Sequence, residues 1–124
     1  MKRQKYNANR QKEPCALCGE KHDSKKEAAR CVELHMMQEQ GLIRDLRSQV
    51  KIQILPFTRY AESDPRMQNE RHLTYTADFC YTEVASGKSI IEDVKGFKTK
   101  EYKIKRKIVK HMFCRKGECV FLET

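Results

Sequence analysis

Two groups of residues in this chain have the types and spacing that chemistry requires. The first is Cys15-x2-Cys18-x12-Cys31-x3-His35. Thiolates and imidazoles at such spacings are the ligands that Zn2+ selects, and four of them close a tetrahedron. Cys15 and Cys18 lie on a glycine-containing knuckle, where two sulfurs can converge on one ion. Cys31 and His35 stand one helical turn apart, so their side chains converge as well. That phasing favours His35 over His22, the competing fourth ligand close behind Cys18. Four protein ligands leave no open position, which makes a structural zinc site rather than a catalytic one. The bland alternative is an incidental cysteine pair, with Cys31 a small buried helix residue. A thioredoxin-type pair is disfavoured, since no strand precedes it and no helix starts at it.

The second group is Asp78 and the run Asp93-Val94-Lys95. Alternate residues of a strand share a face, so Asp93 and Lys95 point one way and Val94 the other. An antiparallel neighbour can set Asp78 beside Asp93. Two adjacent carboxylates repel unless a cation lies between them, and hard oxygen ligands suit Mg2+ or Mn2+. An ion there orients a phosphate and activates water, and Lys95 can orient that water or stabilise developing charge. Without an ion, the same residues are ordinary charges on an exposed hairpin.

The elements that must hold these groups are legible from periodicity. Residues 1–13 are polar, basic and aperiodic and read as a flexible arm, leaving 14–124 as a single domain with the zinc site at 15–35. Ser24-Lys-Lys-Glu27 is a capping box that opens a helix, whose face of Ala28, Cys31, Val32, His35 and Met36 runs on until Gly41. Val50–Leu55 alternates as a strand, and the polar stretch 58–72 is a long mobile connection. Residues 73–83 and 89–95 form a hairpin across Ser86-Gly87. Thr99 to about Phe113 is a basic helix with Tyr102, Ile104, Ile108, Val109 and Met112 as its apolar stripe, and Cys119-Val-Phe-Leu is a final strand. The order α-β-β-β-α-β implies an α/β domain with a mixed central sheet flanked by helices.

Composition adds direction. The formal net charge of +9 favours a polyanionic partner, nucleic acid before anionic membrane. No apolar run approaches the roughly 20 residues that cross a bilayer, and there is no signal-peptide stretch or lipidation motif, so the expectation is a soluble intracellular protein with no membrane partner. In a reducing compartment the six cysteines read as thiols or metal ligands. Cys80 and Cys119 fall on strands as buried thiols. A second metal site joining His111 to the C-terminal cysteines lacks a convincing spacing.

Asp78 in Thr-Ala-Asp-Phe, followed across a turn by Ile-Glu-Asp-Val-Lys-Gly, resembles the active-site signature of the PD-(D/E)xK nuclease superfamily, which includes restriction enzymes and Holliday-junction resolvases. The likeness is closest to short phage and prophage members and runs over about residues 22–113, through Gly41-Leu-Ile-Arg-Asp-Leu-Arg-Ser-Gln49 to the basic helix. It implies a restriction-endonuclease-like core, Mg2+-dependent hydrolysis of DNA, and a site in a bacterial cytoplasm. Asp78 and Asp93 match the two metal-binding carboxylates and Lys95 the motif lysine. Glu27 occupies the place of the glutamate contributed by the superfamily's first helix, against the simpler role of completing the capping box. Gln49 is a candidate for positioning the site. The proline that usually precedes the first acid is Ala77 here, and the zinc-type cysteines are not part of the superfamily pattern. Branched DNA is the substrate suggested by analogy, and a homodimer is expected for two-strand cleavage, although nothing fixes a dimer face. Lys98, Lys100, Lys103, Lys105, Arg106, Lys107 and Lys110, following directly on the acidic strand, are expected to bind DNA phosphates, assisted by Lys2, Arg3, Lys5, Arg10 and Lys12 of the arm. The rival class is a zinc-stabilised DNA-binding protein without catalysis.

Overall fold

A computed structural model describes residues 14–60 and 62–124; the basic arm lies outside them. The element order is α1 (Lys25–Glu39), β1 (Ile43–Leu55), β2 (Leu73–Glu83), β3 (Ser89–Asp93), α2 (Lys100–Phe113) and β4 (Cys119–Glu123), the α-β-β-β-α-β order expected. The four strands make one sheet in the order β1-β2-β3-β4. The first three are antiparallel, and β4 runs parallel to β3 after the α2 crossover, so the sheet is mixed. Parallel neighbours need such a crossover because the chain must return to the same end of the sheet.

Each helix covers one face. Cys31 and Leu34 of α1 pack with Ile43, Phe79, Tyr81, Ile90 and Val94. Tyr102 and Val109 of α2 pack with Ile54, Tyr75, Ala77, Cys80, Ile91 and Cys119 on the other face. Cys80 and Cys119 are therefore buried thiols, as expected.

Neither helix buries the whole stripe expected of it. Ser24 caps α1 by accepting from the Glu27 amide at 3.1 Å, but the buried face is Glu27, Cys31 and Leu34, with Val32 and Met36 exposed. At roughly 100° per residue, Leu34 falls on the Glu27–Cys31 line, whereas Val32 and Met36 fall well to one side. Drawing Cys31 towards the knuckle and Glu27 into the interior selects that rotation. In α2 only Tyr102 and Val109 are buried; Ile104 and Met112 of the expected stripe face outward.

Strand β1 begins seven residues before the expected Val50, at Ile43. Asp45 (φ +57°) and Gln49 (φ +52°) both adopt the left-handed region, and the β1–β2 register shifts between Arg44 and Arg47. These kinks break the alternation by which a strand is recognised. The 58–72 connection is tied at its base by paired amide bonds between Thr58 and Glu70, at 2.9 and 3.0 Å.

Candidate functional site

The knuckle comes first in the chain. The Cys15 amide donates to the Glu20 carbonyl at 2.8 Å and the Gly19 amide to the Cys15 carbonyl at 2.8 Å, folding 15–20 into a tight loop with Gly19 at φ +76°. This loop turns Cys15 and Cys18 towards Cys31 and brings His22 round to the same point. The ligand atoms of Cys15, Cys18, His22 and Cys31 lie within 4.8 Å of one another. Cys15 Sγ is 3.9 Å from Cys31 Sγ, and Cys18 Sγ is 3.4 Å from His22 Nε2. Zinc bond lengths in a tetrahedron separate two sulfurs by about 3.8 Å and sulfur from nitrogen by about 3.5 Å. The donor set therefore fits zinc.

His35 is not in this cluster, contrary to expectation. Its side chain leans back along α1, as helical side chains do, and Nδ1 donates to the Cys31 carbonyl at 2.9 Å. The same Nδ1 lies 3.6 Å from Cys31 Sγ, while chain reversal at the knuckle brings His22 to Cys18 Sγ and into the cluster. Burial tends to raise the Cys15 thiol, but the amides of Cys18 and Leu17 outweigh it and hold the group down at about 6, ready to ligate as thiolate.

The second centre forms where β2 and β3 part. Their register pairs Phe79 with Glu92, and one further step sets Asp78 opposite Asp93. Asp78 Oδ2 accepts from the Val94 amide at 2.8 Å, past the last paired residue. Ala77 and Cys80, three residues apart, both face α2, so the pleat is irregular around Asp78. Across from it in β1, left-handed Gln49 directs Nε2 to Glu27 Oε2 at 3.2 Å and towards Asp78 Oδ1 at 3.5 Å. Non-glycine residues in this region cost free energy and occur disproportionately at functional positions.

Glu27 reaches this centre from the first turn of α1. Its carboxylate does not complete the capping box; Oε2 accepts from His22 Nδ1 at 2.6 Å instead. Burial, then the charge of Asp78, lifts Glu27 to about 7, with His22 acting in the other direction. Burial likewise lifts Asp93 to about 6 against the pull of Lys95. Lys95 Nζ lies 3.2 Å from Asp93 Oδ1 and 4.9 Å from the Tyr102 ring centroid. Burial disfavours its charge, but Asp93, Asp78 and Glu27 together hold Lys95 above its ordinary value. Apart from this ion pair, neither buried Asp93 oxygen has a hydrogen-bond partner among the described residues.

The adjacent acid, Glu92, has the opposite surroundings. Arg30 grips it at 2.6 and 3.1 Å, Tyr81 donates at 2.7 Å and Thr124 at 2.9 Å. Burial opposes its charge, yet these donors hold Glu92 below the usual carboxylate range. The Arg30 clamp had no signal in sequence, because its partners are 62 residues apart.

The lysines after Asp93 divide into two groups. Lys98, Lys100, Lys103, Lys107 and Lys110 are exposed. Lys105 is half-buried and paired with Glu101 at 3.0 Å, and Arg106 is paired with Glu123 at 2.8 Å, so neither is fully available to phosphate.

Residues 3–120 match the family model described as "Protein of unknown function (DUF1064)". The chain belongs to that family. No curated protein and no solved structure matches it. In this DUF1064 member the described residues include no helix long and apolar enough to cross a membrane.

Proposed function

We propose that this chain is a Mg2+- or Mn2+-dependent DNA endonuclease of the PD-(D/E)xK type, with Asp78, Asp93, Glu27 and Lys95 as its catalytic residues and a structural zinc ion held by Cys15, Cys18, His22 and Cys31. The observation that carries this reading is Asp93, a fully buried carboxylate with no hydrogen-bond donor among the described residues beyond its ion pair with Lys95, a lysine that also feels the charges of Asp78 and Glu27. An arrangement of that kind is costly in protein alone and becomes favourable around a divalent cation. Hard carboxylate oxygens are the donors Mg2+ and Mn2+ prefer.

Asp78, Asp93 and Glu27 would hold the ion, which when bound polarises a phosphate and lowers the pKa of a water. Val94 and Gln49 hold Asp78 and Glu27 in position through the bonds above. Lys95, kept cationic by the three acids and braced against Tyr102, presents a proton donor beside Asp93 for the attacking water or the developing phosphate charge. The exposed lysines at 98, 100, 103, 107 and 110 neutralise backbone phosphates next to that point. The restriction-endonuclease-like core and a preference for branched DNA, as in a phage recombination enzyme, belong to the same proposal.

The test is incubation of the protein with labelled linear and four-way DNA, with Mg2+, with Mn2+ and with neither. Metal-dependent cleavage is expected, lost in Asp93→Ala while DNA affinity is retained. Binding without cleavage under every condition would leave a zinc-stabilised DNA-binding protein and refute the nuclease.

A further inference from the structure

The zinc cluster and the acidic centre share one hydrogen bond. His22 Nε2 faces Cys18 Sγ at 3.4 Å, and Nδ1 of the same ring meets Glu27 Oε2 at 2.6 Å. The two side chains are 1% and 3% exposed, so the pair is shielded from bulk water. We propose that zinc in the cluster positions Glu27 through His22, making His22 a positioning residue of the catalytic centre. The inference rests on the nuclease reading for what Glu27 does.

The argument is one of tautomers. A neutral imidazole has one protonated nitrogen and one lone pair. Zinc bound at Nε2 takes that lone pair, so Nδ1 must carry the proton and point it at the carboxylate. Metal-bound histidines generally make such an outer bond, to a carboxylate, a backbone carbonyl or water. Here the carboxylate also faces Asp78 and Lys95. With Nε2 protonated instead, Nδ1 would set a bare lone pair against Glu27 Oε2, and an ionised Glu27 would have to part from it.

The bond also explains why Glu27 points inward. A glutamate three residues after a serine cap ordinarily reaches back to the cap amide. Here the Ser24 hydroxyl accepts from the Glu27 amide at 3.1 Å, but the Glu27 carboxylate is held by His22 and Gln49. Both donors engage Oε2, leaving Oε1 to ligate a metal ion. Loss of zinc, by chelation or thiol oxidation, would release the donor that aims this acid without touching Asp78 or Asp93.

His22→Cys tests the idea. Four cysteines still hold zinc tetrahedrally, but the donor to Glu27 is gone. Zinc content and melting temperature report whether the cluster survives, and Mn2+ affinity of the zinc-saturated protein, by calorimetry or electron paramagnetic resonance, reports the acidic centre. The expected result is full zinc content with Mn2+ bound roughly 10–100-fold more weakly, the usual effect of removing an outer-shell partner. Wild-type Mn2+ affinity in zinc-loaded His22→Cys would overturn the proposal. Should the variant fail to fold, 1H–15N NMR of wild-type His22 gives a second test. Zinc on Nε2 with a downfield Nδ1 proton supports the proposal, and zinc on Nδ1 overturns it alone. Zinc-loaded wild type that binds no Mn2+ refutes the nuclease reading and, with it, this consequence for Glu27.

Discussion

Replacing Asp93 with asparagine should stabilise the protein when the divalent ion is left out, and the size of the effect follows from the surroundings of the carboxyl. Asp93 is fully buried, and burial raises it from 3.8 to about 6, a figure that already includes the attraction of Lys95. At 1.36 kcal/mol per tenfold change, ionising it inside the fold costs about 3 kcal/mol at pH 8. The sign follows from linkage. A carboxyl raised on folding favours the native state while it is protonated, and that contribution is lost as pH rises from about 4 through 6. Asparagine, a neutral near-isostere, avoids the loss. Denaturant unfolding in Mg2+-free, zinc-saturated buffer should therefore show Asp93→Asn more stable by about 3 kcal/mol at pH 8 and by about half that at pH 5. For a domain of this size, 3 kcal/mol is a rise in melting temperature of about 10 °C. Saturating Mg2+ should narrow the gap, because only the wild type gains binding free energy. An Asp93→Asn protein that is less stable than wild type at pH 8, or a gap that does not change with pH, would refute the view that this acid is held at a cost.

Metal binding itself should be pH-dependent: Glu27 at about 7 and Asp93 at about 6 must lose protons to ligate, so Mn2+ affinity should fall as pH drops below 7, with proton uptake or release visible in calorimetry run in buffers of different ionisation enthalpy. Arg30→Ala should destabilise the fold by about 3–5 kcal/mol in denaturant unfolding, since it leaves Glu92 buried and charged. Glu92 is depressed on folding, so its contribution is complete above its unfolded value of 4.5 and is lost as pH falls through the lower folded value; the Arg30→Ala deficit should shrink in acid. Removing the charge of Lys100, Lys103 or Lys107 should each lower the salt dependence of DNA binding in fluorescence anisotropy by about one unit of slope, and Lys105→Ala by less, because Glu101 already holds that ammonium.

The elements were legible wherever the chain follows simple periodicity. Ser24 and Thr99 announced their helices, and the order of strands followed from alternation and turns. What stayed hidden depended on departures from periodicity or on long-range partners. Two left-handed residues in β1 concealed its first seven positions. The rotation of α1 could not be read from hydrophobicity, since its most deeply placed first-turn residue is Glu27, a charged side chain whose reasons for burial lie on the knuckle and on β1. The spacing of Cys31 and His35 suggested a ligand pair, and the same spacing sets His35 Nδ1 on the Cys31 carbonyl at 2.9 Å as well as 3.6 Å from its sulfur. The choice between His22 and His35 depends on where a six-residue loop turns, which local pattern does not encode.

Glu92 and Asp93 are adjacent on one strand and both wholly buried, yet the fold treats them in opposite ways. Glu92 receives donors from Arg30, Tyr81 and Thr124, contributed by α1, β2 and the residue after β4. Asp93 has, among the described residues, only its ion pair with Lys95. A protein able to surround one buried carboxylate with donors from three separate segments does not lack the means to satisfy its neighbour. The difference is one of face: Glu92 points to the α1 side, where a bidentate arginine closes over it, and Asp93 points to the gap shared with Asp78 and Lys95. Free energy withheld from the metal-free protein at Asp93 becomes affinity when a cation arrives, because the ion meets a carboxylate held only by its ion pair with Lys95.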